Sequence, residues 1–95
     1  MPIFYFALKG LQIPERKRNL SECKVRDAII LKEEPSNEYD HNAIQVFHGQ
    51  KLLGYVERDK TLEVKNLMDG NYTAEISMIV DMNGFIEVTI GVYYF

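Results

Sequence analysis

The stretch EEPSNEYDHNAIQVFHGQKLLGYVERD, Glu33–Asp59, decides the fold of this chain. Turn-forming residues between Ser36 and His41 precede an extended apolar run from Ala43 to His48. After a tight connection at Gly49, the chain returns as a second extended run from Lys51 to Val56. The stretch therefore predicts a polar loop followed by a β-hairpin.

Strands are also predicted on both sides of this hairpin. Apolar or alternating runs predict them at Ile3–Leu8, Val25–Lys32, Thr73–Asp81 and Phe85–Phe95. The pair Asn83-Gly84 predicts the turn between the last two, because both residues tolerate a positive φ. Short strands joined by tight turns favour a closed or partly open β-barrel, since closure removes exposed edges, and a small β-sandwich is the alternative.

The remaining segments are predicted to be one helix and one loop. Asp59 is placed to cap the start of a helix, and Gly70 is placed to end it. Its apolar stripe would consist of Leu62, Leu67 and Met68. Gln12 to Asn19 is predicted to be a polar loop, because Pro14 disfavours regular pairing. The 95 residues are therefore expected to form one mostly β domain, residues 1–95, with one or two helices.

Composition narrows the class of protein. The chain is 46% hydrophobic and 26% charged, which is typical of a globular domain. No apolar run approaches the ~20 residues that span a bilayer, so no membrane association is expected. The single cysteine, Cys23, excludes an intramolecular disulfide and a multi-cysteine zinc site. Nothing indicates secretion, and we predict a cytoplasmic, intracellular location.

Charge is unevenly distributed along the chain. The net charge of −3 argues against a surface that coats DNA non-specifically. Even so, six basic residues lie between Lys9 and Arg26, whereas acids outnumber bases from Glu57 onwards. A basic cluster of this kind is commonly only a solvated loop. It becomes relevant to function if it lies beside a binding site.

No catalytic motif is recognisable. The chain contains neither a phosphate-binding glycine loop nor a nucleophile elbow. Asp40 and His41 could in principle serve a metal-dependent hydrolase, but His48 should lie ~20 Å from His41 across an extended strand. We therefore predict a non-enzymatic protein with no cofactor and no metal site.

A binding site is the more productive hypothesis for the polar loop. Tyr39 offers an aromatic face on which a base can stack. The carboxylate of Asp40 would repel phosphate but can accept a hydrogen bond from a sugar hydroxyl, and Arg58 could contact phosphate. From the residues alone, the alternative that Asp40 and Asn42 only cap turns while Tyr39 fills the barrel mouth is favoured.

The order of residues across this region resembles the HIRAN domain family. The matching positions are Glu34-Pro35-x-Asn37, Tyr39-Asp40-x-Asn42-Ala43-Ile44-x-Val46 and Leu53-Gly54-Tyr55-Val56-x-Arg58. The resemblance is strongest from Ile30 to Arg58 and extends more weakly over the whole chain. Members of this family stand at the front of fork-remodelling helicase-like ATPases and also occur as stand-alone prokaryotic and phage proteins.

The resemblance implies an OB-like β-barrel that binds single-stranded DNA 3′ ends at stalled forks or damaged DNA. By this similarity Tyr39 would stack on the terminal base, while Asp40, helped by Asn37, would bond the free 3′-hydroxyl. Arg58 would meet backbone phosphate, with Tyr55 beside it in the pocket. Phe85 would wedge near the paired bases. Asn42 and Gly54 would maintain the fold, as a turn cap and a close-packed backbone position.

Three positions depart from the family pattern. Glu33 and Glu38 stand where an arginine and a second proline are usual, and Ile13 stands near a position that usually offers a second stacking ring. These changes predict weaker DNA binding, which phosphate contacts from Arg16, Lys17 and Arg18 could offset.

Two partner hypotheses follow. The first is DNA, with a helicase-like ATPase on another chain as a further candidate. The second is a protein-interaction or assembly domain of the same fold with weak or no DNA affinity. The chain itself would be a monomer or a weak homo-oligomer.

Overall fold

The computed structural model describes residues 2–95 and contains six strands and two α-helices. Their bounds are β1 Ile3–Lys9, α1 Pro14–Ser21, β2 Ile30–Glu33, β3 Ile44–His48, β4 Lys51–Val56, α2 Thr61–Met68, β5 Tyr72–Met82 and β6 Phe85–Tyr94, with a 3₁₀ turn at Arg58–Lys60 before α2. The prediction of a mostly β domain with six strands is confirmed.

All six strands belong to one antiparallel sheet in the order β2-β3-β4-β1-β6-β5. The sheet is not a closed cylinder, but the segment before β2 bridges its two edges. Ala28 pairs with Glu75 of β5, and the Ile29 amide donates to the Ala74 carbonyl at 2.9 Å. These contacts curl the sheet into a partly open barrel, which is consistent with the OB-like fold that the sequence predicts.

Alternating side chains of the strands form a single core. The largest of the fully buried side chains are Phe6, Ile44, Leu53, Ile76 and Ile90, each from a different strand. In β6, Val88, Ile90 and Val92 point inward while Glu87 does not, as a period of two requires. The turn between β5 and β6 forms as predicted, with φ of 56° at Asn83 and 87° at Gly84.

The predicted loop at Gln12–Asn19 is wrong, because Pro14–Ser21 forms α1. Proline is well accommodated in the first turn of a helix, where its missing N–H has no partner to lose. The helix lies against β4, and Asn19 Nδ2 donates to the Leu52 carbonyl at 2.8 Å. Arg16, Lys17 and Arg18 are consequently helical residues rather than loop residues.

Two other boundaries differ from the prediction. The strand predicted from Val25 begins only at Ile30, since residues 24–27 form a tight turn in which Arg26 has a φ of 80°. Asp59 does not cap α2 but lies in the 3₁₀ turn before it, and the helix begins at Thr61. Leu62 is exposed, and Val64 instead contributes the fully buried side chain of α2.

No helix in the described part of the chain is both long enough and apolar enough to cross a membrane.

Candidate nucleic-acid interface

The loop that connects β2 to β3 is closed on itself by hydrogen bonds. The Glu34 amide donates to the Ala43 carbonyl at 2.9 Å and so draws the two ends of the loop together. Within it, Asn37 Oδ1 accepts from the amides of Tyr39 and Asp40, at 2.9 and 3.0 Å. Short polar side chains commonly stabilise turns in this way. The side chain of Asn37 is therefore committed to shaping the loop.

The carboxylate of Glu34 connects this loop to the sheet. Its Oε1 accepts from Asn37 Nδ2 at 2.6 Å and from the Tyr55 hydroxyl at 2.9 Å, and its Oε2 accepts from Gln45 Nε2 at 3.0 Å. Burial, followed by these bonds to Glu34, raises the pKa of Tyr55. The tyrosine hydroxyl thus stays protonated and its ring is fixed in orientation.

Asp40 has two different environments for its two carboxylate oxygens. Oδ1 accepts from the Asn42 amide at 2.9 Å, which makes Asp40 the residue whose side chain caps the turn. Oδ2 lies 3.6 Å from Arg58 Nε. Asn42 was predicted to be the turn cap, but its own side chain accepts from Lys65 Nζ at 2.9 Å and so ties the loop to α2.

A cavity of about 470 Å³ opens beside this loop, and we refer to it as the end cavity. It brings together five of the predicted site residues from the loop, β4 and the following turn, and a sixth from α1. Its full lining is Lys9, Gly10, Arg16, Asn37, Tyr39, Asp40, Ala43, Tyr55, Val56 and Arg58. The Tyr39 side chain is 83% exposed at its rim, which leaves the ring face free.

Basic side chains form part of the wall of the end cavity. Lys9 pairs with Tyr55 across β1 and β4. Arg16 reaches over from α1, where its Nη1 donates to the Gly10 carbonyl at 3.1 Å and its guanidinium lies 5.2 Å from the centre of the Tyr55 ring. Together with Arg58, these side chains set three positive charges against the one carboxylate of Asp40.

Gly54 permits the close approach of strands on which this wall depends. A Cβ atom at Gly54 would lie 2.3 Å from the Lys9 carbonyl oxygen, nearer than any real contact. The predicted role of Gly54 as a close-packed backbone position agrees with this geometry.

The two acidic residues that depart from the family pattern do not line the end cavity. Glu33 and Glu38 are exposed and neither lines it. Glu33 Oε1 is 3.5 Å from Lys65 Nζ, so its charge is partly balanced by a residue of α2.

The remaining predicted residues lie outside the end cavity. Phe85 borders a second groove of about 220 Å³, which shares Lys9 and Gly10 with the end cavity, so the two are adjacent. Lys17 lies near Phe85 in a smaller depression. Ile13 is 46% exposed at the start of α1 and faces Phe47 and Leu52 across a separate groove. Arg18 is exposed and borders none of these.

Sequence reasoning missed four contributors to the site. Lys9 and Gly10 come from the end of β1, far from the polar loop in sequence. Glu34 was recognised in the motif but not as the centre of a hydrogen-bond network, and Gln45 was not singled out. The alternation of β3, which turns Gln45 away from buried Ile44 and Val46, was a usable signal for that residue.

The residues of the metal-dependent hydrolase alternative have other contacts in the structure. His41 Nδ1 lies 3.2 Å from the Pro35 carbonyl, and within the described residues neither His41 nor Asp40 belongs to a group of three metal-binding side chains. Burial, and then the charges of Asp27 and Glu22, raise the pKa of the Cys23 thiol. A raised pKa keeps the thiol protonated and makes it a poor nucleophile.

Comparison with known proteins identifies relatives of the whole chain. The family model described as HIRAN domain matches residues 3–92. A crystal structure of a protein from Lactobacillus plantarum superposes with a TM-score of 0.74 at 24% identity, covering 93% of this chain and 89% of that one. The HIRAN domain of human HLTF gives a TM-score of 0.71 at 16% identity, covering 95% and 72% respectively. No curated protein matches.

The two structural matches have low identity and establish the fold alone. The family match covers most of the chain, and it supports a DNA-binding kind of domain rather than a catalytic one.

Proposed function

The chain belongs to the HIRAN domain family, and on that premise we propose that it binds the 3′ end of single-stranded DNA in the end cavity. The observation that carries the proposal is the composition of this cavity. It combines an exposed aromatic ring, one carboxylate and three basic side chains, which are the groups needed for a base, a free hydroxyl and phosphates.

Tyr39 would stack on the terminal base. Its ring is exposed, whereas its backbone is fixed by the hydrogen bond from its amide to Asn37. A preorganised aromatic loses little conformational freedom when a ligand binds. Stacking of one base on such a ring contributes ~1–3 kcal/mol and is tolerant of sequence.

Asp40 would select the free 3′-hydroxyl. Because Oδ1 is used by the Asn42 amide, Oδ2 is the oxygen that can accept from a sugar hydroxyl. A terminal phosphate at the same place would be repelled by the carboxylate and would also lack the donated proton. Asn37 would act by positioning Tyr39 and Asp40 rather than by touching the nucleotide.

The basic wall would receive the backbone that leads to the terminal nucleotide. Arg58 is 81% exposed beside Asp40, so it can turn from the carboxylate to a phosphate at little cost. Lys9 and Arg16 line the same cavity next to Tyr55 and would contact the next phosphates. Each phosphate contact releases counterions, so affinity should fall as salt rises.

The paired part of a frayed DNA end would lie along the adjacent groove. Phe85 borders this groove and Lys17 is close by. Phe85 would then abut the first base pair while Lys17 and Arg18 contact phosphate. Ile13, which faces a different groove, would at most cover the edge of a base. The proposal extends to a role at stalled forks or damaged DNA, with a helicase-like ATPase on another chain as a partner.

The decisive experiment compares one oligonucleotide carrying a 3′-hydroxyl, a 3′-phosphate or a blocked 3′ end, by fluorescence anisotropy. We expect the free hydroxyl to bind most tightly. Asp40→Asn should remove the preference, because the amide retains an oxygen for the Asn42 amide but replaces the hydroxyl-accepting oxygen with a donor.

Asp59→Asn is the matched control, since Asp59 is a neighbouring exposed acid outside the end cavity. It should preserve the preference for the hydroxyl. Equal binding of all three ends by the unaltered protein would overturn end recognition.

A second candidate, a protein-interaction or assembly domain, is favoured by one observation. Met78, Met82 and Phe85 are about half exposed, and the register of β5 and β6 places them on one face of that hairpin. An exposed apolar face of this kind commonly contacts a protein. The last strand itself is no free edge, because β6 lies between β1 and β5. Light scattering that shows a dimer dissociated by Phe85→Ser, with no DNA binding, would favour this candidate.

A further inference from the structure

Three side chains of the types that bind metal ions lie together at the C-terminal end of β3, away from the polar loop. Cys23 follows α1, Asp27 lies in the turn before β2, and His48 is the last residue of β3. One ligand atom from each lies within 4.8 Å of the other two, and all three side chains are partly buried. Among residues 2–95 no other such group of three is present. None of the three lines the end cavity, so this cluster is separate from the proposed DNA site.

The spacing of two of these atoms fits a tetrahedral ion. Zn²⁺ binds nitrogen and oxygen at ~2.0–2.2 Å, which places two such ligands ~3.3 Å apart on a tetrahedron. His48 Nε2 and Asp27 Oδ2 are separated by 3.4 Å. A zinc–sulfur bond of ~2.3 Å puts sulfur ~3.5 Å from the other ligands. Since the ligand atoms lie within 4.8 Å of one another, Cys23 Sγ must approach by ~1.3 Å at most. At present it makes only a long contact of 3.4 Å with the Asn19 carbonyl.

An ordinary ion pair accounts for Asp27 and His48, and Cys23 packs against the hydrophobic core, so the assignment of a metal site rests on the three ligand atoms lying together. The local charge also favours a cation. Asp27 is one carboxylate of the cluster, and Glu22 is a second one nearby, although Lys51 binds it at 2.6 Å. Burial, followed by the charges of Asp27 and Glu22, raises the pKa of the Cys23 thiol, and those two negative charges attract a divalent ion. On binding, the ion would displace the thiol proton into solvent and leave a thiolate ligand.

We propose that Cys23, Asp27 and His48 form a binding site for a borderline-soft divalent ion of the Zn²⁺ class. One sulfur, one nitrogen and one oxygen suit Zn²⁺ or Co²⁺, whereas a thiolate disfavours Mg²⁺ and Ca²⁺. Three protein ligands leave the fourth position for water. Because the ligands come from three separate segments, the ion would fasten the connection between α1 and β2 to the far end of β3.

The first test uses the unaltered protein. Cys23 is the only cysteine of the chain, so the rate of its alkylation reports on this position directly. With a phosphine reductant present, one equivalent of Zn²⁺ should slow alkylation, and the same concentration of Mg²⁺ should not. Equal alkylation rates with and without Zn²⁺ would overturn the proposal, and no variant has to fold for this result to be clear.

The second test identifies the ligands with Co²⁺. Titration should produce a thiolate-to-cobalt absorption band that saturates at one ion per chain and disappears on addition of Zn²⁺. Cys23→Ser should abolish the band. A band that persists in Cys23→Ser, or that never forms in the unaltered protein, would contradict the assignment.

The chain has two histidines, so substituting each of them in turn tests whether His48 supplies the nitrogen ligand. His48→Gln should weaken Zn²⁺ binding by at least the ~10–100-fold that loss of a supporting outer-shell partner costs. His41→Gln, at the opposite end of β3, should leave Zn²⁺ binding unchanged. Saturating Zn²⁺ should raise the Tm of the unaltered protein by on the order of 10 °C. Equal Zn²⁺ affinity in both histidine variants would exclude His48 and overturn the site.

Discussion

At the N-terminal end of β3, the polar side chains come from one continuous loop and bind one another. At its C-terminal end, Cys23, Asp27 and His48 come from three separated segments and make few bonds among themselves. The first cluster needs no ligand to be satisfied, because Asn37 and Glu34 already connect the loop to β4. In the second, Asp27 Oδ2 accepts from the Lys24 amide at 2.9 Å and Cys23 Sγ donates to the Asn19 carbonyl at 3.4 Å, so its ligand atoms also bond the nearby backbone. The comparison distinguishes a polar cluster that shapes a site from one that we propose as a metal site.

The N-terminal end of β3, beside the end cavity, contains both residues that shape the site and residues that a ligand would contact. Glu34 and Asn37 shape it, and their polar atoms are occupied by the protein itself. Tyr39 and Arg58 are more than four-fifths exposed and available to a ligand. Asp40 belongs to both kinds, because its Oδ1 holds the turn through the Asn42 amide while its Oδ2 faces Arg58. Variants can distinguish residues that shape the site from residues that contact a ligand. They can also distinguish the two ends of β3 by their effects on DNA binding.

The largest effect is expected from Gly54→Ala. The added methyl group would meet the Lys9 carbonyl at 2.3 Å, so β1 and β4 would have to separate. Overpacking of this kind typically costs ~1–3 kcal/mol, and a contact with backbone belongs at or above the upper limit. Gly70→Ala is the control, because its nearest atom would be 3.8 Å away. Chemical denaturation should show a large loss of stability only for Gly54→Ala; similar stabilities would disprove the close approach.

Tyr39→Ala should weaken binding of single-stranded DNA by one to two decades while the Tm stays nearly constant. Loss of one stacked base costs ~1–3 kcal/mol, and 1.4 kcal/mol corresponds to a factor of ten. Tyr39→Phe should retain the affinity, since it keeps the ring. His48→Gln, at the other end of β3, should bind DNA normally. Unchanged DNA affinity in Tyr39→Ala would remove this residue from the site.

Glu34→Gln should destabilise the domain by ~1–3 kcal/mol. The Glu34 carboxylate accepts hydrogen bonds from Asn37, Gln45 and Tyr55, and the new amide would replace one accepting oxygen with an NH₂ group that donates. DNA binding should weaken as well, since Asn37 would lose a contact that orients the loop. Glu33→Gln tests the adjacent, half-exposed acid, which lies 3.5 Å from Lys65 Nζ, and should change stability by a few tenths of a kcal/mol. Equal effects in urea denaturation would refute the special role of Glu34.

The smallest effect concerns the pH dependence of stability. The raised pKa of Tyr55 means that the folded state keeps a proton which the unfolded state releases near pH 10. The contribution of this group is therefore complete below about pH 10 and is lost as pH rises through the folded-state pKa. Tyr55→Phe should make the stability curve flatter above about pH 10 in denaturation measurements. An identical slope in both proteins would show that Tyr55 is not coupled to folding.

Local sequence was sufficient for most of the fold. The alternation in β5 and β6 and the Asn83-Gly84 turn predicted that hairpin correctly, because the period and the turn geometry depend on nearby residues. Predictions failed where neighbours override local preference. Pro14 starts a helix that Leu20 and Asn19 fasten to the sheet, and the segment before β2 is shaped by its pairing with β5.

The candidate site was predictable to the extent that it is continuous in sequence. The ordered motif marked Asn37, Tyr39, Asp40, Tyr55 and Arg58, and the fold gathers all five around the end cavity. Their roles in DNA binding stay a prediction. Lys9 and Arg16 complete the cavity from β1 and α1, and no spacing rule connects those positions to the loop.

The sequence by itself determined the strands, the turns and the polar loop, because these depend on side-chain period and on contacts between residues a few positions apart. Only the tertiary structure decided which charges face the end cavity, that Asp40 Oδ2 lies beside Arg58, and that Cys23, Asp27 and His48 lie together. Those properties depend on distances between segments far apart along the chain. Such distances arise from packing and strand pairing, which no local pattern records.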